Sequence, residues 1–546
     1  MTFNLQRGTG RAHKGAERGG ASGLSRRDFV KTGVFAGAAL ALPAHRLAFA
    51  ASALDNRMPS SKLPLPFTLP FRRPPVAVPL RTDETSDFYR IPIVEFQADI
   101  IPGFKTMMYG YGGSFPGPTI RVERNRQVVA RFANQLPARH PTLRYEPWTS
   151  VHLHGSPSLP QYDGYASDIT RPGQFKDYYY PDTQSSRTMW YHDHGLHHTA
   201  QNVYQGLAGF FLEHDAAEDG LGLPSGEHDV PLMISDAMFQ TSGELLFSLE
   251  DESGMWGDVM MVNGVPWPAL KVKKRKYRFR LLNCCISRSL GLSLSTGDQM
   301  TVVATDGGLM PFPVKTTSLR QATAERYDVV IDFSKYAPGT RVVLRNSSPK
   351  NNDDYTHTNK VMAFDVVGDA FDPTDNAVPS ELDPTCPTML LQPSQSVATR
   401  RIKLGRGNSQ WTINGNTWKT VVASGYQHVE ARPVKGTVEI WEIENSSGGW
   451  FHPTHIHLVD FKVLSRNGKP PHPYEQGPKD TVYVGENEIV RVLIHFEGCG
   501  KYMIHCHNLI HEDHDMMTQY EVVDPTGYSY SPFDDPCKNL SEEDDL

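Results

Sequence analysis

The sequence predicts an all-β protein made of three β-sandwich domains. Three observations carry that expectation. Short runs alternate apolar with polar residues. Turn-forming residues, 41 Pro and 45 Gly, punctuate them. The length of 546 residues exceeds what one ordinary domain holds.

The alternation recurs along the whole chain, in Ile120-Arg-Val-Glu, Val128-Val-Ala-Arg-Phe, Lys276-Tyr-Arg-Phe-Arg-Leu, Tyr327-Asp-Val-Val-Ile-Asp and Val438-Glu-Ile-Trp-Glu-Ile. A period of two with one apolar side is the pattern of a strand that buries one face. No long amphipathic helix stands out. Apolar residues make up 39% of the chain, enough for sizeable cores, and charged residues only 21%. The basic run Lys271 to Arg280 ends in alternation and reads as a strand with a solvated face, so nucleic-acid binding is not expected.

The first 50 residues stand apart. Ser25-Arg-Arg-Asp-Phe-Val-Lys31 is a twin-arginine pattern, followed by a weakly apolar run from Thr32 to Leu42 and a small-x-small cleavage site at Ala48-Phe-Ala50. The apolar run is too short for a membrane span. Residues 1–50 therefore read as a signal peptide handled by the twin-arginine export machinery, which delivers the protein to the periplasm or outside the cell. The leader carries a net charge of +6, so removing it takes the formal charge of −7 to about −13. An acidic surface favours solubility and names no partner.

A first block runs from 60 to 215 and ends in Leu207-Ala-Gly-Phe-Phe-Leu-Glu. A turn-rich stretch, Asp215 to Asp229, leads into a second block, 228–370. Residues 371–400, rich in Pro, Ser, Thr and Asp, read as a linker. A third block spans 401–530, and an acidic tail, 531–546, closes the chain. Of six cysteines, Cys386 and Cys537 lie in loop-like or tail sequence and could pair in an oxidising compartment. No pairing is assigned among Cys284, Cys285, Cys386, Cys499 and Cys537. At least one of the adjacent Cys284 and Cys285 reads as a small buried apolar residue.

Histidine is distributed unevenly. Between His228 and His428 only His357 occurs, while the first and third blocks hold four clusters. These are His152-Leu-His154, His192-Asp-His194, His452-Pro-Thr-His455-Ile-His457, and His505-Cys506-His507-Asn-Leu-Ile-His511 with Met516 close behind. Residues i and i+2 on a strand share a face, so each His-x-His can aim two imidazoles at one place. In His505-Cys506-His507 the imidazoles face one way and the thiol the other, so one strand touches two metal sites. Imidazole suits copper, and thiolate with thioether suits Cu(I). Cys506, His511 and Met516, with His452 as the fourth group, match a trigonal His2Cys site with a distant Met. Met517 is a rival to Met516, and the spacing of ten from Cys506 favours Met516. The eight remaining imidazoles suit a cluster of three coppers able to deliver several electrons to one O2. Zinc is the commoner metal for Cys/His sets but cannot transfer electrons. His197, His198, His472, His495 and His514 read as surface or supporting groups. Asp513 and Asp515 read as turn or capping residues.

These clusters, with Phe175-Lys-Asp-Tyr-Tyr-Tyr-Pro, Met189-Trp-Tyr-His-Asp-His, Trp256-Gly-Asp-Val and Val262-Asn-Gly-Val-Pro-Trp-Pro, resemble the three-domain multicopper oxidases over roughly residues 65 to 530. The likeness is greatest to bilirubin oxidases, then to spore-coat laccases and phenoxazinone synthases. The resemblance implies three cupredoxin-like Greek-key sandwiches, the middle one without copper, and four coppers per chain. It sorts the ligands into His452, Cys506, His511 and Met516 for type 1 copper, His152 and His455 for type 2, and His154, His192, His194, His457, His505 and His507 for the type 3 pair. It implies that Asp163 and Glu512 relay protons to the cluster. On a strand Trp450 would share the face of His452, and the resemblance makes it a wall of the substrate approach. The expected reaction is one-electron oxidation of a small organic reductant, a bilirubin-like tetrapyrrole, a phenol or an aminophenol, coupled to reduction of O2 to water. An axial Met implies a modest potential. The alternative, a metallo-oxidase of Cu(I) or Fe(II), is weakened by the lack of a Met-rich insert. A copper store or electron carrier would not need the His505-Cys506-His507 bridge.

Overall fold

The structure, a computed structural model, describes residues 56–248, 252–368 and 373–534. The twin-arginine pattern, Cys537 and the end of the acidic tail lie outside the described residues. Three β-sandwiches follow one another along the chain. In the first, the sheet of Ser86–Ala98, Thr106–Tyr111, Gln127–Asn134 and Phe175–Tyr180 faces that of Gly117–Glu123, Ala208–His214, Arg187–Asp193 and Val151–His154. The second packs a seven-stranded sheet, with Asp229–Ala237, Lys276–Asn283, Arg326–Asp332 and Met300–Thr305 at its middle, on a five-stranded one. The third pairs a five-stranded sheet around Ser396–Gly407, Val438–Asn445 and Ile489–His495 with a four-stranded one. The latter is ordered Thr481–Val484, His452–Ile456, Gly500–Cys506, Met517–Val522.

Each sandwich sets strands that are distant in sequence side by side and parallel. Ser86–Ala98 runs beside Gln127–Asn134, Asp229–Ala237 beside Lys276–Asn283, and Ser396–Gly407 beside Val438–Asn445. Parallel neighbours cannot be joined by a tight hairpin, so in the first two domains the chain crosses to the other sheet in between, through Gly117–Glu123 and Ala269–Val272, as in Greek-key sandwiches, and in the third the connection runs through the helix Trp418–Ala423. The cores follow the alternation of the sequence. Val151 and Leu153 enter the first core and Ile456, Ile504 and Cys506 the third, each flanked by a histidine turned the other way.

One boundary differs from the sequence reading. The strand Ser396–Gly407 begins inside the stretch read as a linker, and a helical turn, Pro387–Leu390, precedes it. The first half of that strand is half or fully exposed, so its apolar signal is weak. Of the described cysteines, Cys284, Cys285, Cys386, Cys499 and Cys506 are all buried and form no disulfide with one another. No described helix is long and apolar enough to cross a membrane.

Candidate metal centres

Strand register assembles the histidines. His152 lies directly across from His192 on neighbouring strands of the first domain, and His455 across from His505 in the third. His194, His457 and His507 each follow immediately after a strand end, keeping the i, i+2 relation to their partners. The two faces then meet between the domains. The rings of His152 and His457 stack at 3.9 Å, those of His154 and His455 at 3.7 Å, and the ring centres of His194 and His505 are 4.7 Å apart. All eight are buried.

Their hydrogen bonds show which nitrogen each ring offers inward. The Nδ1–H of His152 donates to the Asp163 carbonyl at 2.6 Å, that of His192 to the Asp193 carbonyl at 2.8 Å and that of His455 to the Asp480 carbonyl at 2.9 Å. His457 Nδ1 donates to Asp163 Oδ2 at 2.8 Å, and His505 Nδ1 to the Cys506 carbonyl at 3.2 Å. Each outer bond fixes a tautomer that leaves Nε2 as an inward lone pair. His154 is reversed: its Nε2 donates to Asp480 Oδ1 at 3.0 Å, and Nδ1 has no hydrogen-bond partner. Bare lone pairs face one another closely. Nε2 of His505 is 3.1 Å from Nε2 of both His194 and His457, and Nε2 of His152 is 3.4 Å from that of His455.

Burial holds His154, His192, His194, His455, His457 and His507 well below the ordinary imidazole value and pushes His505 down to about 3. These seven rings are held toward the neutral form, as metal ligands must be. Five ring nitrogens of His154, His192, His194 and His507 have no hydrogen-bond partner. At roughly 1–3 kcal/mol each, they would cost about as much as a domain's whole stability. A neutral ring carries one N–H, so one of the two His507 nitrogens is a donor; the ring lone pairs that converge without a proton between them suit cations, and the fit is to metal.

A second centre lies on the core face of the third domain. Cys506 Sγ is 3.4 Å from His452 Nδ1 and 3.6 Å from His511 Nδ1, and these two nitrogens are 3.2 Å apart. Both Nε2 atoms point outward, that of His452 to Ser447 Oγ at 2.8 Å and that of His511 to the Ser253 carbonyl of the second domain at 3.0 Å. Three ligand atoms thus form a small triangle. Burial pushes the Cys506 thiol up and His452 down to about 3. Met516 is buried in the same core cluster, and its carbonyl accepts from the Cys506 amide. Met517 packs elsewhere, with Tyr165, Ala166 and Trp418.

The acids sit beside the imidazoles. Asp163 reaches His457 with Oδ2 and lies with Oδ1 3.4 Å from His152 Nδ1; burial pushes its carboxyl up. Glu512 Oε1 lies 3.7 Å from His194 Nδ1 and accepts from Thr199 Oγ1, and burial pushes it well above the usual carboxylate range. Trp450 precedes the strand His452–Ile456 rather than lying on it. It is half-buried, its ring 6.2 Å from that of His511 and stacked at 6.3 Å on Trp256 of the second domain. Sequence reasoning missed Trp411, buried 4.2 Å from the His511 ring, and Asp480. Nothing in the spacing of either marked it. His197, His198, His472, His495 and His514 join neither centre; His198, for example, packs on Trp148 and Tyr145.

Known proteins resemble the chain along most of its length. Three multicopper oxidase sequence profiles match residues 95–218, 228–364 and 391–526. The chain is 42% identical to a bilirubin oxidase of Albifimbria verrucaria, covering 87% of this chain and 84% of that one. It is 33% identical to a laccase of Bacillus subtilis, covering 85% and 98%. Among solved structures, a multicopper oxidase of Pediococcus acidilactici superposes with a TM-score of 0.75 at 28% identity over 86% of this chain and 94% of that one. A Campylobacter jejuni metallo-oxidase, at 23% identity and a TM-score of 0.72 over 86% and 97%, shares the fold. The metal that this set of imidazoles, thiol and thioether fits is copper, and the chain belongs to the multicopper oxidase family.

Proposed function

We propose that the chain holds four coppers and oxidises a bilirubin-like tetrapyrrole, a phenol or an aminophenol. His452, Cys506, His511 and Met516 hold the type 1 ion, His152 and His455 the type 2 ion, and the other six imidazoles the type 3 pair. Bound copper supplies the one-electron steps and the reduction of O2 to water. The chain's own residues separate and connect the two tasks. Cys506 belongs to the triangle and its neighbours His505 and His507 to the cluster, so one covalent segment joins the centres; that bridge carries the reading. Asp163 and Glu512 are placed to hold protons beside His457 and His194. The twin-arginine pattern supports export to the periplasm or beyond.

Purified, copper-loaded protein is expected to be blue, with four coppers per chain by metal analysis and type 1 and type 2 signals by EPR. Zinc in place of copper, or a colourless copper-loaded protein, would overturn the assignment. The substrate class is tested by kcat/KM under air for bilirubin, a dimethoxyphenol, an aminophenol, Cu(I) and Fe(II); a clear preference for a metal ion sinks the organic reading.

Trp450 is read as a wall of the substrate approach, because it stands by the His511 edge that meets the second domain. Trp450→Ala is expected to lower kcat/KM unequally over the organic panel, by roughly two- to tenfold, the worth of one aromatic contact. A uniform loss with a lower Tm would instead make it a packing residue of the third core.

A further inference from the structure

Asp480 stands just before the strand Thr481–Val484, whose Thr481 pairs with His455. It grips two imidazoles from different domains. Its Oδ1 accepts from Nε2 of His154, in the first domain, and its carbonyl accepts from Nδ1 of His455, in the third. The two rings it grips are the pair stacked at 3.7 Å and 17°.

The carboxylate is itself held by Arg326 of the second domain. Nη1 donates to Oδ1 at 2.8 Å and Nη2 to Oδ2 at 2.5 Å, while Thr481 Oγ1 donates to Oδ1 at 2.9 Å. A guanidinium has five N–H groups in a fixed fork. The other three of Arg326 are spent on the carbonyls of Thr188 in the first domain, Ala324 and Asp306. Its own amide donates to Asp306 Oδ1, whose other oxygen meets Lys479 at 2.8 Å. Arg326 and Asp480 are buried, so the pair gains nothing from water and is fixed by its partners. Even the space is defined: a Cβ on Gly155 would lie 2.8 Å from Arg326 Nη2 and 3.1 Å from Asp480 Oδ2. A buried ion pair gives no more stability than well-packed apolar residues of the same volume. Geometry is what this one supplies.

We propose that Asp480, clamped by Arg326, is the positioning residue that fixes the reversed tautomer of His154 and the ring of His455, so that the second domain, which offers no ligand, governs assembly of the copper cluster. This rests on the ligand reading above. The carboxylate is acceptor-only, so the proton of His154 must sit on Nε2 and the lone pair on Nδ1, toward the cluster.

Asp480→Asn keeps the size but replaces one acceptor oxygen with an N–H donor. Donors from His154, Arg326 and Thr481 converge on Oδ1 and hold the amide oxygen there, so the new donor takes the place of Oδ2 and faces the Arg326 Nη2 N–H. The clamp by Arg326 is then broken, and the rings of His154 and His455 lose their fixed placement. The expected result is loss of at least one copper per chain and an altered type 2 EPR signal, with the blue band kept, because His452, Cys506 and His511 do not touch Asp480. Arg326→Lys keeps the charge but loses the fork, and a smaller loss of cluster copper is expected. Parent-like copper content and EPR in both variants would overturn the proposal. Should Asp480→Asn not fold, judged by its Tm and blue band, Arg326→Lys decides alone. His154→Ala is the control: if it too keeps all its copper, the ligand reading fails, not the role of Asp480.

Discussion

Cys506→Ser is expected to lose its blue colour and all substrate oxidation while the cluster of eight imidazoles still takes up its copper. The thiol belongs to a triangle whose other corners, His452 Nδ1 and His511 Nδ1, lie 3.4 and 3.6 Å from it. A serine hydroxyl is a harder ligand that Cu(I) disfavours. It is also shorter than the thiol, and it stays protonated near neutral pH where a metal-bound thiol does not. The eight histidines are untouched, since the side chain at 506 points into the third core and those of His505 and His507 away from it. The smaller, more polar side chain fills the buried site less well, which lowers Tm without unfolding the chain. Copper content, EPR and oxygen uptake measured side by side test this. Turnover retained in the variant would mean that electrons reach the cluster by another route and that the segment 505–507 is no bridge.

That bridge could be read from the sequence because it is a local property. Alternation on a strand decides faces within two or three residues, and it puts the imidazoles of His505 and His507 opposite the thiol. The same rule separated His152 and His154 from the apolar Val151 and Leu153. Three sandwiches followed from the repeated alternation and the length. Long-range partners were not legible. Asp480 lies 326 residues from His154, and Arg326 comes from the domain with no ligands; neither has a periodicity that marks it. Trp411 and the Ser253 carbonyl reach His511 from a separate strand and a separate domain. Trp450 shows the limit from the other side. The two-residue spacing placed it on the face of His452, but the strand starts only at His452, and the contact of Trp450 with Trp256 depends on how the domains dock.

The structure also sharpens what Asp163→Asn should do. Asp163 has two separable tasks. Its Oδ2 accepts from His457 Nδ1 and its carbonyl from His152 Nδ1, so it orients one imidazole through its side chain and one through its backbone. Asparagine leaves the backbone unchanged, and its amide oxygen can still accept from His457. Both rings keep their tautomers, and the cluster is expected to load fully. The second task, the proton relay proposed above, rests on the other oxygen. Oδ1 of Asp163 is buried with no hydrogen-bond partner, and desolvation pushes the carboxyl up, so the group can hold a proton beside the cluster. An amide can neither give nor take one at that point. Reduction of the type 1 centre by substrate is therefore expected to proceed at the parent rate, while reoxidation by O2 slows roughly 100-fold, the low end of what a positioned acid or base contributes. Stopped-flow reduction without oxygen, followed by mixing with O2, resolves the two halves. Equal reoxidation rates in variant and parent would remove the relay role and leave Asp163 as an orienting group. Loss of cluster copper in the variant would instead mean that His457 depends on the charge of Asp163 and not only on its hydrogen bond.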